Sequence, residues 1–190
     1  MPRRSVPVVT LLLVATNLLA YLFELGAGGQ AVCYAHGLVP AKFVHSGALG
    51  PLFTSLFLHD PAGLAHIVGN MAFLALFGAI VEGALGGSPF LGLYLVAGAL
   101  GGLMHVLVSP TATEPLVGAS GAIFGILAVA GALRPRLLGF VAVFVGINIF
   151  HAVAGGGGNV SFGAHLGGFV AGVLVVAIMR AAGSESLEAT

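Results

Sequence analysis

Ser120 sits among small neighbours in "VGASGAIFG" (117–125), in a 190-residue chain that is mostly hydrocarbon. A serine hydroxyl is a weak nucleophile until a base removes its proton as it attacks, and imidazole is the side chain suited to that task near neutral pH. His165 in "AHLGGFVAG" (164–172) offers such an imidazole. His66 and Asn70 in "HIVGN" (66–70) are spaced i, i+4 and so share one face of a helix. Other hydrolytic chemistries lack their residues. No H-E-x-x-H pattern is present to hold zinc, and Asp60 is the only aspartate, which excludes an aspartyl dyad. Ala122 leaves the G-x-S-x-G elbow of soluble hydrolases incomplete. His36, His45, His59, His105 and His151 are expected to meet water or headgroups rather than to catalyse. No metal and no cofactor is implied. Cys33 is the only cysteine, so no disulfide can form within the chain.

The elements that position these groups must lie in a membrane. Only 6% of the residues are charged, 58% are hydrophobic and the mean hydropathy is +1.12, whereas about a quarter of a soluble domain is charged. The zero formal net charge gives no reason to expect nucleic acid. Six apolar segments, at about 6–25, 62–85, 89–108, 119–133, 137–153 and 162–181, approach the roughly 20 residues that a bilayer-crossing helix needs. The expected fold is all-α: a polytopic membrane bundle of six helices forming a single domain over 1–190. The first segment reads as an uncleaved span rather than a signal peptide, because it contains Asn17 and lacks an Ala-x-Ala exit. With the N-terminus inside, five of the six basic residues (Arg3, Arg4, Arg134, Arg136, Arg180) fall at inner ends. That bias predicts a multi-pass protein of the cell membrane with a cytoplasmic N-terminus.

Depth can be counted from the inner marker of each span. Ser120 lies fourteen residues from Arg134 and His165 fifteen from Arg180, roughly 21 and 22 Å at 1.5 Å per residue. His66 and Asn70 lie sixteen and twelve residues from Glu82, roughly 24 and 18 Å. Three spans thus contribute polar groups to one layer near the outer face. A serine in a membrane helix commonly packs or bonds its own i−4 carbonyl, but intramembrane ionisable groups are costly and mark function. The fourth span is too short to cross, so the 109–118 loop is expected to dip into the bilayer beside a water-filled cavity at Ser120. Asp60 and Pro61 suit the N-cap and first position of the second span.

Gly121 with Gly125, and Ala164 with Gly168 and Gly172, form small-residue ridges that would let the fourth and sixth spans touch and bring Ser120 to His165. "AGGGGNVS" (154–161) suits a flexible lid and the fifth span a lateral gate.

The motifs "HIVGN" (66–70), "GASGAIFG" (118–125) and "AHLGGFVAG" (164–172), in this order on the second, fourth and sixth spans, resemble the rhomboid family of intramembrane serine proteases, over about residues 50–175. The resemblance implies Ser120 as nucleophile and His165 as general base in a dyad, with Gly118, Gly121 and Phe124 supporting them. Phe124 takes the place of an aromatic that packs on the histidine. Asn70 and His66 match the oxyanion-stabilising positions, and Glu82 is also family-like. The substrates would be transmembrane segments of other membrane proteins, cut near the outer face. The family's frequent Trp-Arg in the first outer loop is missing, leaving the packing of that loop open. With no acid placed to orient His165, stacking on Phe124 is expected to hold the ring. The competing readings are an inactive rhomboid-like scaffold, against which both dyad residues count, and a transporter, which would show inverted repeats or paired charges.

Overall fold

A computed structural model describes residues 6–154 and 161–183. Nine α-helices run through these residues: α1 (Val8–Gly26), α2 (Gln30–His36), α3 (Pro40–Ser46), α4 (Gly50–Thr54), α5 (Leu64–Leu85), α6 (Gly87–Val108), α7 (Ser120–Leu133), α8 (Leu138–Val153) and α9 (Phe162–Ala181). Helices α1, α5, α6 and α9 are each long and apolar enough to cross a membrane, with mean hydropathies of 1.9–2.1; α7 and α8 are apolar but shorter. The six expected spans are therefore the six apolar helices, and the chain is a multi-pass integral membrane protein. Large aliphatic residues such as Leu12, Leu19, Leu22 and Leu107 point outward, as lipid-facing surface requires.

Helix α7 is the axle of the bundle. Eleven of its fourteen residues are buried, so a helix too short to cross a bilayer is surrounded by protein instead. Its contact with α9 depends on missing side chains. A Cβ on Gly168 would collide with the Gly121 carbonyl, and one on Gly172 with the Gly125 carbonyl. A Cβ on Gly125 would stand 2.9 Å from the Gly168 carbonyl oxygen. The two ridges interlock backbone to backbone, as expected from their spacing. Helix α6 closes on α9 the same way: a Cβ on Gly101 would lie 2.6 Å from the Ala164 carbonyl oxygen, and one on Gly167 would lie 2.8 Å from that of Leu100. That second seam was not anticipated from the sequence, although "GALGGL" carries its signal.

Two buried acids tie the bundle's ends. Glu82 receives the backbone N–H groups of Val9 (2.9 Å) and Thr10 (2.7 Å) and the Thr10 hydroxyl (2.7 Å), capping the first turn of α1, whose N–H groups have no acceptor within the helix. At the opposite end Glu24 receives the His59 N–H at 3.2 and 3.1 Å through its two oxygens. The first long loop packs without tryptophan by folding into α2, α3, α4 and a 3₁₀ turn (Ser55–Phe57). It is held there by Glu24 and by the Tyr94 hydroxyl, which donates to the Leu56 carbonyl at 3.2 Å.

The start of α5 corrects the sequence reading. Asp60 and Pro61 are not its cap and first residue; Gly63 is the cap and Leu64 opens the helix. The Asp60 carboxylate instead accepts the Ala62 N–H at 2.9 Å, and the Asp60 N–H donates to His66 Nδ1 at 3.3 Å. Both groups are spent on a turn lying over the helix.

Candidate active site

Ser120 is the first residue of α7, following Ala119 as its cap. A helix start leaves the N–H groups of its first turn without intrahelical acceptors and carries the positive end of the helix dipole. The segment that delivers the chain to this point, 109–119, is not helical, yet its backbone is paired at several points. Leu116 exchanges hydrogen bonds with Leu38 (2.8 and 3.1 Å), Ala112 accepts from the Ala41 N–H (3.0 Å), and the Gly118 N–H donates to the Ser55 carbonyl (2.9 Å). Irregular backbone at membrane depth is tolerable under this protein cover.

The interlocked glycines bring α9 close enough that Ser120 Oγ lies 2.9 Å from His165 Nε2. Phe124, one turn below Ser120, stacks on the imidazole with ring centroids 4.2 Å apart and planes 9° from parallel. Both residues of the expected dyad are only half-buried, so their hydroxyl and ring are reachable.

Gly118 is the hinge between this pair and α5. Its φ of +120° lies where side-chain-bearing residues rarely go. A Cβ there would stand 2.8 Å from His66 Nε2 and 3.6 Å from Asn70 Nδ2. Asn70 is buried, and its Nδ2 has no hydrogen-bond partner among the described residues. His66 accepts the Asp60 N–H at Nδ1, so a neutral ring carries its proton on Nε2, the nitrogen facing Gly118. Two donors without partners among the described residues therefore face the segment leading into Ser120. An oxygen that becomes negative beside Ser120 would find them together with the free N–H groups of the helix start.

One expectation needs correction. His59 does not meet water or headgroups: it is fully buried, with both ring nitrogens unpartnered among the described residues. Burial first, and then His66 beside it at a ring separation of 5.1 Å, pushes His59 down to about 3, so it stays neutral. His105 is half-buried, its Nδ1 lying 2.7 Å from Ser161 Oγ, which also accepts the Ala164 N–H as the cap of α9. A cavity of about 440 Å³ opens beside the site, against His165. His105, Phe124, Asn148, Ser161 and His165 are among its lining residues and Ser120 is not. The segment expected to form a lid, 154–161, falls outside the described residues at 155–160, its four glycines included.

Phe124 does not hold the imidazole alone. Asn148 of α8 lies with Oδ1 2.8 Å from His165 Nδ1. Sequence reasoning missed this residue, although the depth count contains it: Asn148 stands twelve residues from Arg136, roughly 18 Å, level with Asn70.

The rhomboid domain family model matches residues 46–182. The chain is 31% identical over 186 residues to the rhomboid protease GluP of Bacillus subtilis, covering 91% of this chain and 35% of GluP. It is 31% identical over 161 residues to RHOMBOID-like protein 7 of Arabidopsis thaliana (80% of this chain, 49% of that protein). To the putative rhomboid protease YdcA of Bacillus subtilis it is 34% identical over 131 residues (66% and 62%). The chain belongs to the rhomboid family. It spans less than two thirds of the length of each of these relatives.

Proposed function

We propose that the protein is an intramembrane serine endopeptidase in which Ser120 is the nucleophile and His165 the general base. The observation that carries this reading is the 2.9 Å approach of Ser120 Oγ to His165 Nε2 at a helix N-terminus. The names of relatives such as GluP and YdcA support it. As Ser120 Oγ bonds to a peptide carbonyl carbon, its proton passes to His165 Nε2. The carbonyl oxygen becomes an oxyanion facing the Ser120 N–H, Asn70 Nδ2 and His66 Nε2. The imidazolium returns the proton to the leaving nitrogen as the C–N bond breaks, giving an acyl-enzyme and a free amine. Water, deprotonated by the same imidazole, then releases the acid.

The substrate class is a transmembrane segment of another protein, cut near the end of the bundle that carries the long loop. Helix α8 fits the role of gate: Val141 is its only fully buried residue among those whose burial is described, and most of the others are exposed. The proposed setting is the cell membrane, with the N-terminus in the cytoplasm and residues 1–190 acting as one unit. The test is labelling of purified protein by a fluorophosphonate. Wild-type protein should be labelled and Ser120→Ala should not; equal labelling of both would reject Ser120 as the nucleophile.

A further inference from the structure

The hydrogen bonds around His165 form a directed chain whose polarity can be read from one end. The Phe144 carbonyl can only accept, so the group facing it at 2.9 Å is the Asn148 amide nitrogen, Nδ2. The Asn148 Oδ1 is thereby turned toward His165 Nδ1 at 2.8 Å. An amide oxygen can only accept, so Nδ1 must carry the proton of the neutral ring. Nε2 is then left with a free lone pair, and it is Nε2 that lies 2.9 Å from Ser120 Oγ. With the opposite tautomer, Nε2 would present a proton to the hydroxyl and could not accept one.

We propose that Asn148 is a positioning residue that fixes the tautomer and direction of His165, so that the reactive pair is poised only while α8 is seated. This rests on the reading of Ser120 and His165 given above. Phe124 restrains the plane of the ring by stacking but does not distinguish its two nitrogens; Asn148 does. The placement has a consequence for access. Asn148–His165 is the only side-chain hydrogen bond from α8 to another helix among the described residues. The helix buries a narrow stripe, Val141, Phe144, Val145 and Asn148, spaced i, i+3, i+4, i+7, with Val141 fully and the rest partly covered. A displacement of its upper half breaks the bond and leaves His165 free to turn. The gate helix thus carries the group that readies the base, and α8 must reseat over a bound substrate before attack.

The test compares Asn148→Leu, which removes the acceptor at similar volume, with Asn148→Asp, which keeps an acceptor oxygen. Purified variants are assayed in detergent by steady-state cleavage of a transmembrane substrate, by the rate of fluorophosphonate labelling, and by thermal melting. For Asn148→Leu we expect kcat to fall about 10- to 100-fold, less than the roughly 10²–10⁴ that a whole general base contributes. KM should change little, and the labelling rate should fall in parallel, since a small probe needs a ready serine but no open gate. Asn148→Asp should keep most of the wild-type kcat. Wild-type turnover and labelling in Asn148→Leu, beside a silent Ser120→Ala, would overturn the positioning role and leave the dyad standing. A lowered melting temperature with normal turnover of the folded fraction would do the same. Undiminished labelling of Ser120→Ala would instead remove the reading on which the proposal rests.

Discussion

Asn70 places a buried amide nitrogen, without a partner among the described residues, beside the backbone that leads into Ser120. A buried donor left unpaired costs about 1–3 kcal/mol, and the proposed mechanism gives it an acceptor only when an oxyanion forms. Removing such a donor typically costs about 10²–10³ in rate, roughly 3–4 kcal/mol. Asn70→Ala should therefore fold and bind substrate nearly as well as wild type but turn over that much more slowly, read by kcat beside a thermal melt. His66→Ala should lose less, because the Ser120 N–H and Asn70 remain. A melt that collapses while the folded fraction cleaves normally would make Asn70 structural. The four polar residues were legible in the sequence because each breaks an apolar run at a countable depth. Asn148 obeys the same count, yet an amide in a span of its own, with no i+4 partner, reads as a helix residue bonding its own turn. It does bond its own turn, at the Phe144 carbonyl, and that bond is what aims its oxygen at His165.

At the scale of elements, the site depends on α7 and α9 meeting backbone to backbone. Gly168→Val would drive a branched side chain into the Gly121 carbonyl, one residue from Ser120. Overpacking a close contact costs about 1–3 kcal/mol and can cost more, so stability and activity should fall together in a detergent melt and a cleavage assay. Wild-type values of both would place this ridge against lipid. Glu82→Ala tests the other end, where three donors on Val9 and Thr10 lose their acceptor. With about 0.5–1.5 kcal/mol net for each hydrogen bond, the melting temperature should drop while the labelling rate of folded protein holds, because Glu82 is remote from Ser120. The long helices were legible from hydropathy and the α7–α9 ridges from their spacing. The start of α5 was not: a local pattern, Asp then Pro, suggested a cap, but the side chain and N–H of Asp60 were claimed by Ala62 and His66. Nor was the fold of the first loop, which is set by the distant acceptor Glu24 and by pairing with residues 112 and 116.

For the whole molecule, Cys33 supplies a reporter. It is a buried residue of α2, and burial, then the charges of Glu24 and Asp60, push its thiol up to about 11. Only the thiolate reacts, so a rise of that size from 9 lowers its population near pH 8 about 100-fold. Maleimide should modify Cys33 slowly in the folded protein and rapidly once the bundle opens, tracking global unfolding. Fast modification of folded protein would mean that the loop end is not closed over α2. The proposed mechanism joins Ser120 and His165, 45 positions apart, into one catalytic unit through the close crossing of α7 and α9. Its most direct measurement is cleavage of a transmembrane substrate in reconstituted vesicles by wild type, Ser120→Ala, His165→Ala and the double variant. Members of one unit are grossly non-additive, so all three variants should lose activity to a similar extent. A Ser120→Ala protein that retained most of the wild-type rate would contradict the account.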